Sequence, residues 1–207
     1  MHKFFALFIS LLIGGGALLA QGVGNALQQL RVDVAYLASD YLEGREAGLQ
    51  GEKLAADYIT WRFAALGLTP KGEQGTWYHD FDFTYKSNPH ESGGEERTGR
   101  NILGYLDNGA ATTIVIGAHY DHLGYGEFGS RYTGEPAIHN GADDNASGVA
   151  VMLYLAEQLS GPLAAQTSHN NYLFLAFSAE ELGLVGSKKW VAEPTLDLGT
   201  INYMLNL

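Results

Sequence analysis

The second half of this chain alternates between short apolar runs and segments with helical periodicity. Residues 112–116 (TTIVI) are β-branched throughout, and residues 171–177 (NYLFLAF) are apolar after the first position; both runs are typical of strands buried on both faces. In chain order, the pattern predicts strands at 101–106 and 112–116, a helix at 146–159, a strand at 171–177, a helix at 182–192 and a strand at 200–207. Strands that alternate with helices predict an α/β fold with a mainly parallel sheet flanked by helices.

The part of the chain before residue 101 has a different pattern. Apolar residues recur at spacings of three and four over 25–42, which predicts an amphipathic helix, and a second helix fits 51–66. Residues 77–85 (WYHDFDFTY) alternate between apolar and polar side chains, which predicts a half-buried strand. Residues 86–99 are polar and read as a surface loop. The sequence therefore predicts a helical lead-in followed by one strand and a loop.

The first 20 residues have the layout of a secretory signal peptide. Lys3 is followed by an almost entirely apolar run that ends at Ala20, before the polar Gln21. An uncleaved anchor is the alternative, but the run is short and rich in glycine for a membrane span. The predicted organisation is a signal peptide at 1–20, a lead-in at 21–100 and an α/β part at 101–207. The mature protein is then expected in the periplasm or outside the cell, with no stable membrane span.

Composition excludes some classes of partner and of metal site. The formal net charge of −11 argues against a nucleic acid held through its phosphates. The chain has no cysteine, so a metal ion would have to be held by His, Asp and Glu.

Side chains that could hold a metal lie at the predicted element boundaries. They are His119, Asp121, Asp144, Glu180 and Glu181. The first two follow the strand at 112–116, the third opens the helix at 146–159, and the last two follow the strand at 171–177. Because ligands bind at the carboxyl ends of strands in open α/β sheets, we expect these side chains to converge. Imidazole and carboxylate groups are suitable zinc ligands.

These side chains form three groups: His119 with Asp121, Asp144 in its turn, and Glu180 with Glu181. Each group is a weak signal alone. A Glu-Glu pair is usually a solvated helix start, and the run 141–148 (GADDNASG) could be an Asx-rich turn with a helix cap. All three groups in this order, each at an element boundary, predict a metal site.

Three motifs give the chain a resemblance to a known family. They are residues 117–124 (GAHYDHLG), 140–148 (NGADDNASG) and 177–183 (FSAEELG). With them, residues 101–207 resemble the amino-terminal half of the co-catalytic di-zinc aminopeptidases related to bacterial leucyl aminopeptidase and glutamate carboxypeptidase. Residues 31–70 are similar to the helical lead-in of secreted bacterial members.

The resemblance implies a role for each site residue. His119 would bind one zinc, Glu181 the other, and Asp144 would bridge the two. Asp121 would orient the ring of His119 from behind. Glu180 would be the general base that takes a proton from the attacking water and returns it to the departing amine.

The same resemblance also suggests features of the neighbouring residues. It implies a cis peptide bond between Asp144 and Asn145, and it assigns Asp143 to the hydrogen bonds of the turn. His122 and His139 are alternatives as ligands, but we expect them to serve the cleft and its loop.

The chain departs from the family pattern at its end. Members carry an acid directly after a strand resembling 201–207, and a further histidine near the carboxyl terminus. Without these two, each zinc keeps two of three expected protein ligands. The sequence therefore predicts an incomplete sheet and an inactive or nearly inactive chain.

The predicted function is that of a secreted zinc metallopeptidase, foremost an aminopeptidase that hydrolyses N-terminal residues from peptides. A related carboxypeptidase, dipeptidase or glutaminyl cyclase is the alternative enzyme. A catalytically dead binding or structural homologue is the alternative from another class.

Overall fold

The structure, a computed structural model, describes residues 24–88 and 92–207. The predicted signal peptide at 1–20 lies outside the described residues. Within those residues, no helix has the length and apolarity needed to cross a membrane.

Helices flank a single six-stranded sheet. The helices are α1 over residues 24–37, α2 Gln50–Ala65, α3 Ser147–Ser160, the short α4 Ala164–Thr167 and α5 Val185–Ala192. The strands are β1 Thr69–Pro70, β2 Tyr78–Tyr85, β3 Glu95–Leu106, β4 Thr113–His119, β5 Asn171–Phe177 and β6 Ile201–Asn206.

The strand order is β1-β3-β5-β4-β6, and β2 pairs only with β3. Strand β4 is parallel to both β5 and β6, whereas β3 is antiparallel to β1, β2 and β5. The α/β fold is confirmed, but the sheet is mixed rather than mainly parallel. Parallel neighbours need a crossover of a dozen or more residues. The link 86–94 is too short for one, so β2 and β3 are antiparallel. The link 107–112 is also too short, so β4 runs against β3, and β5, which is parallel to β4, runs against β3 as well.

The apolar core lies on both faces of the sheet. On one face, α2 and α3 contribute Phe63, Met152 and Leu153, which pack around Phe174 of β5. On the other face, Trp190 of α5 packs in a smaller cluster formed mainly by β3, β4 and β5. Because β4 and β5 are covered from both sides, their side chains are buried along their whole length.

Several element boundaries differ from the predicted ones. Strand β3 begins at Glu95 rather than at 101, because its polar first half pairs with β2; it therefore crosses the division at 100/101. The first helix stops at 37 and is followed by a 3-10 turn, Asp40–Arg45, in which Glu43, Gly44 and Arg45 all have positive φ. Helix α5 begins at Val185 because Leu184 has a φ of 63°.

Candidate metal centre

The central parallel strands β4 and β5 end side by side at one rim of the sheet. Their pairing continues one residue beyond β4, where the N–H of Tyr120 donates to the carbonyl of Phe177 over 2.9 Å. This register places His119 beside the segment that carries Glu180 and Glu181. The convergence expected from the sequence is therefore present.

His119 is the last residue of β4 and is almost completely buried. Its Nε2 lies 3.0 Å from Oδ1 of Asp144. Its Nδ1 lies 3.3 Å from the backbone carbonyl of Asp121 and 3.7 Å from the carboxylate of that residue. Burial lowers the pKa of His119, but the carboxylates of Asp121, Glu180 and Asp144 outweigh burial and raise it to about 9.

Asp144 is presented by a tight turn that leads into α3. Gly141 opens the turn with a φ of 57°, and a Cβ there would lie 2.5 Å from the carbonyl oxygen of Asp144. The Asp144–Asn145 peptide bond is cis, as predicted. Asn145 accepts from the N–H of Gly148, and the Asp143 carbonyl accepts from the Ser147 hydroxyl. The side chain of Asp144 is 66% exposed, so it faces the rim rather than the core.

The Glu180-Glu181 turn is held from below by Asp121. The fully buried carboxylate of Asp121 accepts hydrogen bonds from the N–H of Glu180 at 3.0 Å and of Glu181 at 3.3 Å. Asp121 was expected to orient His119, and both its backbone carbonyl and its carboxylate lie near Nδ1 of that ring. Its carboxylate also fixes the backbone of the two glutamates.

The surroundings shift the pKa values of the two adjacent glutamates in opposite directions. Partial burial and the negative charges of Asp121, Glu181 and Asp144 raise the pKa of Glu180, against the opposing effect of His119. A hydrogen bond from His122 lowers the pKa of Glu181, against the effect of burial. At neutral pH, Glu181 is therefore the better anionic ligand and Glu180 the better proton acceptor.

His122 belongs to the site more closely than the sequence suggested. Its Nδ1 lies 2.6 Å from Oε1 of Glu181, and ligand atoms of His122, Asp144 and Glu181 all lie within 4.8 Å of one another. His139 behaves as expected of a loop residue: its Nε2 lies 3.0 Å from the hydroxyl of Ser130. His122 lies three residues beyond His119, the last residue of β4. This position close to the strand end was the sequence signal that could have placed His122 among the candidate ligands.

The donor set fits a zinc centre. His119 with Asp144 forms one pair, and His122, Asp144 and Glu181 form an adjoining group that shares Asp144. All donors are imidazole nitrogens or carboxylate oxygens, the ligands zinc accepts without sulfur. A dication would also offset the negative charge that these carboxylates bring together.

Three proteins illustrate the similarity of this chain to known sequences. The "Alkaline phosphatase isozyme conversion protein" of Escherichia coli is 29% identical over 151 residues, which are 72% of this chain and 41% of that protein. "Aminopeptidase YwaD" of Bacillus subtilis is 33% identical over 97 residues, 45% of this chain and 18% of that protein. The human "BOS complex subunit NCLN" is 38% identical over 87 residues, 41% of this chain and 14% of that protein. The chain thus spans less than half the length of these relatives.

Solved structures share the fold. A zinc aminopeptidase from Bacillus subtilis has a TM-score of 0.62 at 16% identity, covering 86% of this chain and 68% of that one. A glutaminyl cyclase from Bacteroides thetaiotaomicron has a TM-score of 0.60 at 17% identity, covering 87% of this chain and 59% of that one.

A family model matches the part of the chain that forms the candidate metal centre. The model of peptidase family M28 matches residues 101–207, the segment from β3 to β6 that holds every residue of the candidate centre. With more than half of its length matched, this chain belongs to peptidase family M28.

Proposed function

We propose that this centre binds zinc and that the protein is an exopeptidase, foremost an aminopeptidase that removes N-terminal residues from peptides. The observation that carries the proposal is the position of Glu180. It lies beside a His119–Asp144 pair and next to Glu181 in sequence, on a turn whose backbone is fixed by Asp121. A proton acceptor is thereby held next to the candidate metal ligands.

Each side chain has a definite task in peptide hydrolysis. Zinc, when bound, supplies a Lewis acid that polarises the scissile carbonyl and acidifies water. His119, Asp144 and Glu181 would hold it. Glu180, with its raised pKa, accepts a proton from the attacking water and returns it to the departing amine. Asp121 keeps Glu180 in place without touching the substrate.

Related chemistries are the competing enzyme functions. The glutaminyl cyclase likeness concerns the fold alone. One bound zinc per chain would favour a cyclase-like site, and two would favour the aminopeptidase. A binding or structural role is the alternative from another class, and the relative named "BOS complex subunit NCLN" is a subunit of a complex. The retained Glu180, Glu181, Asp144 and His119 favour an enzyme.

Zinc content and substrate preference test the proposal. This chain and a version extended at its carboxyl end to the length of its relatives should be assayed with amino-acid p-nitroanilides, N-blocked dipeptides and N-terminal glutaminyl peptides. We expect bound zinc and release of p-nitroaniline by the extended chain. Zinc binding with cyclisation of the glutaminyl peptide alone would identify a cyclase, and no zinc binding by either protein would contradict the proposal.

We also propose that the protein is exported to the periplasm or the extracellular space. The support is the basic start and apolar run within residues 1–20. Mass spectrometry of exported material should find a chain that begins near Gln21. An exported chain that still begins with Met1 would contradict cleavage at this site.

A further inference from the structure

A buried arginine from the lead-in reaches the rim of the sheet. Arg45 is 1% exposed. Its guanidinium donates four hydrogen bonds to backbone carbonyls: from Nε to Tyr120 at 2.7 Å, from Nη1 to Asn140 at 2.8 Å and to Leu37, and from Nη2 to Gly141 at 3.0 Å.

The acceptors of Arg45 lie in the segments that present the metal ligands. Tyr120 directly follows His119, and Gly141 opens the turn that carries Asp144. A single side chain therefore ties the exit of β4 to the start of that turn. The planar guanidinium fixes their spacing because its donors diverge at set angles.

The backbone around Arg45 is clamped to the same region. Its carbonyl accepts from the N–H of His122 at 3.0 Å, and the carbonyl of Gly44 accepts from Gly124 at 3.1 Å. A Cβ at Gly44 would lie 2.5 Å from the carbonyl oxygen of Gly124 and 2.6 Å from that of His139. This close approach, together with the positive φ of Gly44, leaves Arg45 little freedom to move.

The charge of Arg45 lies behind the carboxylates of the site. Burial lowers the pKa of Arg45 to about 10, while Asp121, Asp144 and Glu181 act in the opposite direction. The side chain is therefore cationic at neutral pH. None of its four hydrogen-bond acceptors is a carboxylate, so its charge acts on the three carboxylates through space rather than through a direct ion pair.

We propose that Arg45 is a positioning residue of the metal centre: it holds the exit of β4 and the turn before Asp144 in one arrangement, and its charge offsets the gathered carboxylates before a metal binds. This inference rests on the proposed metal centre, but it does not depend on which substrate is hydrolysed. It gives the lead-in a direct part in building the site.

The test compares two buried arginines. Arg45→Lys keeps the charge but loses the planar fork. The control, Arg62→Lys, changes an arginine that is 5% exposed and pairs with Asp33, joining α2 to α1. We expect Arg45→Lys to weaken zinc binding by about 10–100-fold, as is usual for groups that orient ligands, and to alter the visible spectrum of the cobalt-loaded protein. Arg62→Lys should change neither.

A milder variant keeps the test decisive if Arg45→Lys does not fold. The half-exposed side chain of Asn140 donates to the carbonyl of Ala38 and to Asp40, so Asn140→Ala loosens the same loop without disturbing a buried charge. We expect a smaller loss of zinc affinity in the same direction. Zinc affinity is measured by competition with a chromophoric chelator, and folding by circular dichroism.

The outcomes separate this inference from the proposed function. A wild-type protein that binds no zinc would contradict the metal centre itself. Wild-type zinc affinity in the folded Arg45→Lys and Asn140→Ala variants would overturn the role of Arg45 alone. An equal loss of affinity in Arg62→Lys would overturn it as well, because general destabilisation would then explain the effect.

Discussion

The Nδ1 atom of His122 lies 2.6 Å from Oε1 of Glu181, although the two residues are 59 positions apart in the chain. The contact joins the segment after β4 to the segment after β5. It orients the carboxylate that we assign to zinc, and it brings a second imidazole to the rim. In either capacity, as a ligand or as a hydrogen-bond partner of a ligand, His122 should support metal binding.

Removing His122 should therefore weaken the centre. We expect His122→Ala to lower zinc affinity by about 10–100-fold, the usual cost of losing a group that orients a ligand. His169→Ala is the control, because His169 is exposed and precedes the amino end of β5, at the opposite end of that strand from the rim. Chelator competition measures both. Equal zinc affinity in His122→Ala and the wild type would show that the contact has no part in the centre.

Asp121 should matter for stability as well as for the site. In Asp121→Ala, the N–H groups of Glu180 and Glu181 lose their acceptor in a partly buried place, so the cost is at most about 1–3 kcal/mol for each group left unsatisfied. Asp143→Ala is the control: this residue is exposed, and such changes usually stay within about 0.5 kcal/mol. Urea unfolding measures both. A loss of stability no greater than that of the control would contradict the anchoring role.

Glu52 should make stability depend on pH. Its side chain is buried on α2, with Oε2 accepting from the N–H of Gly48, and burial, with a further contribution from Asp121, raises its pKa to about 8. The folded state therefore holds a proton that the unfolded state releases near pH 4.5. Its contribution to stability is complete below that pH and is lost as the pH rises to about 8.

Glu52→Gln tests this dependence. Because glutamine does not ionise, the variant should gain stability relative to the wild type as the pH rises from 5 to 8, by at most about 1.4 kcal/mol per pH unit. His119 titrates in both proteins and cancels in the difference. Urea unfolding at several pH values gives the result. A constant difference across this range would show that Glu52 is ionised throughout.

Local patterns in the sequence identified the strand ends and hence most of the centre. His119, Asp144 and Glu181 could be assigned because each lies at an element boundary, where a local pattern changes. The contributions of Arg45 and His122 depend on contacts between residues 59 to 96 positions apart, which no local pattern encodes. The first half of β3 was missed for a related reason: residues 95–100 are polar and look like a loop until β2 is there to pair with them.

The adjacent glutamates allow a last, sharper test in a chain extended at its carboxyl end to the length of its relatives. Glu180→Gln keeps the shape of the side chain but cannot accept the proton, so we expect retained zinc and a loss of turnover of about 10²–10⁴-fold. Glu181→Gln should lose zinc too, because a neutral amide oxygen is a poorer ligand than the carboxylate whose pKa His122 lowers. Zinc content by atomic emission is measured beside the rate. If Glu180→Gln loses the metal and Glu181→Gln keeps it, the two roles are exchanged.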